Sequence, residues 1–308
     1  TIFNQYGNTV IIGADADIRA NMYMSCGTLR ADGGVFRGNL YANSSITVTV
    51  DENVTQSTIF YGKLTGNCDY HIDGVAVTYQ VNGKDYATQF LRSGKTALKP
   101  DDPAAEDGYV FAGWYNSGTV HNFIRPITEN ITLTAKWAKL VDKTADFTAP
   151  DGGAAAIALL NSAKNGAEDS MWDNATNTLT LKGVSMATTA TTAVKLPDGA
   201  TVILADGTEN HIIGGGAAVS ENGRKNVVVY IYGMYAAGAL TIEGEKDGTG
   251  TLFVSSGEHT NAGDALTYPT ALYADGDLTV KGGAVTAQGG TATNGGDYIF
   301  CSSNASSI

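Results

Sequence analysis

Gly108-Tyr109-Val110-Phe111-Ala112-Gly113-Trp114-Tyr115 and, a short way on, Ile127-Thr128-Glu129-Asn130-Ile131-Thr132-Leu133-Thr134-Ala135-Lys136-Trp137 set the fold class of the chain. In the first block, the rings of Tyr109, Phe111 and Trp114 are punctuated by glycines, so bulky side chains can pack where the backbone turns or approaches closely. This is a core signature before it is a binding signature. In the second, Ile131, Leu133 and Ala135 alternate with Thr132, Thr134 and Lys136, the period-two pattern of a half-buried strand, and Trp137 closes the module.

Upstream, Val77-Thr78-Tyr79-Gln80-Val81-Asn82-Gly83 completes the set in order. Residues 75–138 resemble the Listeria–Bacteroides repeat, or internalin B-repeat, a small β-grasp-like module of bacterial surface proteins. The resemblance implies an extracellular spacer or interaction module with no catalytic apparatus. The segment from Lys99 to Asp107 departs from the family pattern in being more acidic, which bears on the loop and not on the fold.

Composition points the same way independently. Glycine supplies 38 of 308 residues, above the usual ~7 %, and short apolar runs are separated by Thr, Ser, Asn and Asp. Many strands and many turns follow. A mean hydropathy of −0.08 and the lack of any run near ~18 apolar residues exclude a transmembrane helix. No basic stretch precedes an apolar one at the start, so the chain reads as a mature or trimmed form. With 31 acidic against 19 basic residues, the net charge of −12 makes nucleic acid and anionic lipid poor partners. Solubility, or divalent-cation binding, accounts for the acidity. Cys26, Cys68 and Cys301 are too scattered for a disulfide scaffold or a paired-cysteine zinc site; a Cys26–Cys68 bridge and buried free thiols both stay open.

From about residue 139 the chain reads as stacked repeats. Asn177 to Gly183, Ala239 to Gly244 and Asp277 to Gly282 are short alternating strands ended by glycine, and Gly250 to Gly257 is echoed by Gly283 to Gly289. Leu240 and Leu278 lie 38 positions apart, which reads as two rungs of roughly 19 residues in a parallel β-helix. Ala193 to Gly199 and Ala271 to Gly276 share an Asp-Gly corner. This region resembles the β-helical, carbohydrate-binding-domain-like repeats of Firmicutes surface proteins through Trp172 to Leu181, Leu196 to Ala200 and Ala271 to Gly283. The resemblance implies adhesion or polysaccharide binding, with calcium in some members. Residues 1–74 have the same texture and read as a short solenoid, the last rungs of a longer one cut at Thr1. A helix over Ala154 to Ala163, with Ile157, Leu159 and Leu160 inward, would cap the second solenoid.

The expected architecture is therefore mainly all-β: a β-solenoid segment over 1–74, a β-grasp-like module over 75–138, and a right-handed parallel β-helix over 139–308.

Catalytic signatures are sparse. His71, His121, His211 and His259 have no partner at metal or triad spacing. A pectate-lyase-like enzyme would need a basic residue beside carboxylates in a groove, and the C-terminal region offers mainly Arg224, Lys225, Lys246 and Lys281. Acidic candidates for calcium are Glu243, Glu245, Asp247, Asp275 and Asp277, although Asp-Gly is also ordinary turn chemistry. Tyr230, Tyr232 and Tyr235 are the candidate sugar platform, with Tyr230 and Tyr232 on one strand face; if that face points inward they are core instead. The reading is a non-enzymatic, secreted or cell-surface protein that binds polysaccharide, host glycan or a host protein. It requires no cofactor, with calcium as an option, and its oligomeric state is open. A lyase would show a basic cluster by carboxylates; a structural stalk would show neither that nor an outward stripe.

Overall fold

The computed structural model describes residues 1–4, 7–43, 46–54, 57–66, 70–72, 74–215, 228–257, 266–290 and 298–302, with the side chains of 66, 70–72, 228, 266–267 and 298–302 excepted. The protein is all-β: among the described residues a single helix, Ala154–Ser162, accompanies the strands. The chain divides into two compact units, Thr1–Ala104 with Gly113–Lys136, and Ala105–Ala112 with Trp137–Ile308.

In the first unit the chain visits three sheets in turn. Ile2–Asn4, Met22–Met24, Leu40–Ala42 and Leu64–Gly66 pair in parallel in that order. Val10–Ile12, Gly27–Ala31, Ile46–Thr49 and Tyr70–Ile72 do the same, as do Asp17–Ile18, Val35–Phe36 and Ile59–Phe60. Each strand is too short to bury a core alone. Alternation sends Met22, Met24, Leu29, Leu40, Ile46 and Val48 inward, where they pack with Phe36 and Phe60, and each fully buried apolar side chain contributes roughly 1.5–3 kcal/mol.

The module that follows opens with the antiparallel hairpin Val75–Val81/Lys84–Leu91. Asn82 and Gly83 turn it, with φ of 51° and 73°, the paired positive values that a two-residue type I′ turn requires and that Asn-Gly tolerates. Val77 to Gln80 then pair in parallel with Ile131 to Thr134. Trp114 is 1 % exposed and meets the Tyr79 ring edge-on at 5.1 Å. The acidic departure at Lys99 to Asp107 has a local use: the Asp101 carboxylate accepts from Arg37 at 3.0 Å, its backbone N–H donates to the Tyr61 hydroxyl at 2.7 Å, and Arg37 lies over the Tyr61 ring. Two aromatic expectations need correcting. Tyr109 is 42 % exposed, and Trp137 is only half-buried, packed edge-on against Phe111 in the second unit.

The second unit repeats the three-sheet plan. One sheet runs Ala145–Asp146, Thr192–Leu196, Val228–Ala236, Leu266–Ala274, Tyr298–Ser302; another runs Met171–Asp173, Thr178–Leu181, Ala200–Leu204, Leu240–Gly244, Leu278–Val280; the third carries Ser185–Thr188, Glu209–Ile213, Thr251–Ser255 and Ala284–Gln288. Pairing is parallel throughout except at Met171–Asp173. Leu240 and Leu278 are direct register partners. The 38 positions that separate them are thus one circuit of the three sheets and not two, because the strands and the chain between them are both longer than in the first unit: Leu266–Ala274 alone takes nine residues, against three in Leu40–Ala42. Thr251 likewise faces Ala284. The inward column Ala200, Leu240, Val202, Ile242, Met234 and Leu272 forms the core. The helix lies where expected: Ala156 and Leu160 are buried, with Ile157 and Leu159 partly so, and the Asp151 carboxylate accepts from the backbone N–H groups of Gly153 and Ala155 at its start.

Candidate functional site

The outer face of the sheet containing Val228–Ala236 and Leu266–Ala274 carries an array of tyrosines. Parallel register sets Tyr230 beside Tyr268 and Tyr235 beside Tyr273. Val229 and Ile231 point into the core, so Tyr230 and Tyr232 point out. Simple alternation would then turn Tyr235 inward. Instead Gly233 and Met234 are both buried in succession, as are Ala193-Val194 and Ala271-Leu272 in the neighbouring strands, and the strand bends there. The bend brings Tyr235 back to the outer face. At Gly233 the backbone also comes close to its neighbours, where a Cβ would lie 2.5 Å from the Ser255 carbonyl oxygen and 2.6 Å from that of Ala271.

Ring centroids in the array are 5.6 Å apart for Tyr230–Tyr268, 5.4 Å for Tyr232–Tyr235, 5.2 Å for Tyr232–Tyr273 and 5.9 Å for Tyr235–Tyr273. Tyr230 lies parallel to Tyr232 at 6.2 Å and is 56 % exposed. The Tyr235 hydroxyl donates to Asp275 Oδ2 at 2.5 Å, which, with burial, pushes its pKa up to about 12. Burial, reinforced by the neighbouring phenols, holds Tyr232 well above the ordinary phenol value as well. The phenols of Tyr232 and Tyr235 are thus held neutral, with the Asp275 carboxylate bonded to Tyr235 and Lys195 in register beside it. Tyr268 and Tyr273 were not singled out from the sequence. Their signal is present there, because each lies 38 positions after Tyr230 and Tyr235, the Leu240–Leu278 interval.

The acidic candidates do not converge. Glu245 accepts from the Asp206 backbone N–H at 3.1 Å, and the Asp247 N–H donates to Asp206 Oδ2 at 2.7 Å, stapling one turn to the next. Glu243 lies half-buried on its strand, beside Ile203. Asp275 accepts from Tyr235, and the Asp277 carbonyl accepts from the Leu240 N–H at 2.8 Å. Among the described residues no group of three or more His, Cys, Asp and Glu side chains is placed to hold a metal ion.

His211 is buried, its Nδ1 3.1 Å from Ser185 Oγ, while Ser185 Oγ donates to the Trp137 carbonyl at 2.7 Å. Register brings these together inside the protein, as a structural bridge. His121 is held below the ordinary imidazole value by burial. Lys246 and Lys281 are exposed, and Lys195 pairs with Asp146 at 3.3 Å. Arg224, Lys225, His259 and Cys68 lie outside the described residues, as do the side chains of His71 and Cys301; Cys26 is a free thiol.

Residues 76–136 match the family model of the Listeria-Bacteroides repeat domain (List_Bact_rpt). The central module is therefore this repeat, a family typical of bacterial surface proteins. No curated protein matches the chain. Among the described residues no helix is long and apolar enough to cross a membrane.

Proposed function

We infer that this is a non-enzymatic, extracellular or cell-surface bacterial protein that binds polysaccharide or host-surface glycan through its outward tyrosine array, with the repeat module as spacer. The observation that carries the reading is the array itself: five rings on consecutive strands of one outer face, kept there by the bend at Gly233. Ring faces stack on the C–H surfaces of sugars, and phenol hydroxyls bond their hydroxyl groups. A stalk has no use for such a face, and the two strands that carry it hold no lysine, arginine or histidine; Lys195, in register beside Tyr235, is paired with Asp146. In this reading the three-sheet circuits of both units are rungs of right-handed parallel β-helices, the hand that parallel crossovers take, and the Asp-Gly corners are where calcium would bind.

The test is retention of the purified protein on a glycan array and on insoluble polysaccharides, with calcium and with chelator. Saturable retention lost in Tyr230→Ala/Tyr268→Ala and indifferent to chelator supports the array. Retention abolished by chelation moves the site to the acidic corners, and no retention on any glycan favours a stalk or a protein-binding adhesin.

A further inference from the structure

A second outward aromatic column lies in the first unit. Phe3, Tyr23 and Tyr41 are register partners on successive parallel strands. Their rings are near-parallel, at 5.2 Å and 19° for Phe3–Tyr23 and 4.7 Å and 12° for Tyr23–Tyr41. Phe3 is 66 % exposed and Tyr23 38 %. At such separations parallel rings are offset and not eclipsed, so each keeps a strip of face and its edge toward solvent.

An asparagine precedes both tyrosines by two residues, in Asn21-Met22-Tyr23 and Asn39-Leu40-Tyr41. Asn21 Oδ1 accepts from the Asn39 backbone N–H at 2.9 Å, and Asn39 Oδ1 accepts from that of Lys63 at 3.0 Å. The carbonyl of each amide is used by the fold, while its NH2 group has no partner among the described residues. Rings and amide donors therefore recur together along the column, which continues through Thr65 beside Tyr41. None of these side chains is charged; Lys63 follows in the series next to Asn39.

We propose that the Phe3–Tyr23–Tyr41 column, with the amides of Asn21 and Asn39, is a second carbohydrate-contact surface, and that its ligand is an uncharged polysaccharide. It rests on the reading of the chain as a glycan binder and adds a separate contact in the other compact unit. Apolar C–H surface suits the rings and hydroxyl acceptors suit the amide donors, and neither rings nor amides bring a charge to compensate an anionic sugar. The column contributes its own ring and amide contacts, so losing it lowers retention on the same glycan.

The experiment compares the full chain and its variants on an array of immobilised neutral and anionic glycans. Expected is retention on a neutral glycan, reduced about tenfold in Phe3→Ala/Tyr23→Ala/Tyr41→Ala, the change that ~1.4 kcal/mol of lost ring contact makes, and abolished when Tyr230→Ala/Tyr268→Ala is added. Asn21→Asp/Asn39→Asp keeps the carbonyl acceptors and removes the donors, so it weakens retention without unstacking the rings; circular dichroism shows whether each variant folds. Unchanged retention in both column variants, with loss in Tyr230→Ala/Tyr268→Ala, overturns the second surface and leaves the tyrosine array standing. Retention only on anionic glycans overturns the ligand class, and retention on none overturns both readings.

Discussion

Tyr235 and Asp275, forty positions apart in the chain, meet through a 2.5 Å hydrogen bond in which the phenol donates to Oδ2. The carboxylate raises the phenol's pKa to about 12 and the phenol anchors the corner that follows the neighbouring strand. A phenol in the unfolded chain ionises near ~10. The folded state thus holds its proton more tightly, and the stability this confers is complete below pH ~10 and falls away as pH rises toward about 12. Asp275→Asn should let Tyr235 ionise at lower pH, read from phenolate absorbance during an alkaline titration. An unchanged titration curve would rule out the carboxylate as the cause.

Asp206 has the opposite sign. The backbone N–H groups of Asp247 and Thr249 hold its carboxyl below the ordinary value, so its contribution is present above an unfolded pKa of ~3.9 and is lost as pH falls through the lower folded value. Asp206→Asn should flatten the acid limb of the melting-temperature profile. A variant that melts in parallel with the parent at every pH removes Asp206 from that account.

Gly233→Ala forces a Cβ against two carbonyl oxygens, those of Ser255 and Ala271. Overpacking of this kind costs about 1–3 kcal/mol. Urea unfolding should show that loss together with weakened glycan retention, since the bend that keeps Tyr235 outward is disturbed; full retention at reduced stability would separate the bend from the site.

Trp114→Ala empties the centre of the repeat module, where Trp114 packs on Tyr79 and Tyr86. A loss of about 3–5 kcal/mol is expected, visible as a separate early unfolding transition of the first unit. A loss under about 1 kcal/mol would contradict the burial described for this ring.

What was legible in the sequence was the local chemistry. Ile131 to Ala135 announced its half-buried strand and Ala154 to Ala163 its helix, because each depends on neighbours in the chain. The interval between Leu240 and Leu278 was visible too, but its division into rungs was not: strand length is written in alternation, whereas the length of chain between strands obeys no period. Tyr235 was visible as a candidate, yet its face depends on two consecutive inward residues at Gly233 and Met234, and alternation alone gives the wrong side. The acidic corners read as turns before ligands, and the hydrogen bonds of Asp206 and Asp275 show the turns using them.

Register partners lie 18 positions apart at Tyr23 and Tyr41 but 38 apart at Leu240 and Leu278, within the same three-sheet plan. Circuit length is therefore uncoupled from strand spacing, and the connecting segments can be exchanged or lengthened like cargo on a fixed rack. A lineage could retune what such a surface recognises by insertion at the corners, with the aromatic columns left in place and the core untouched.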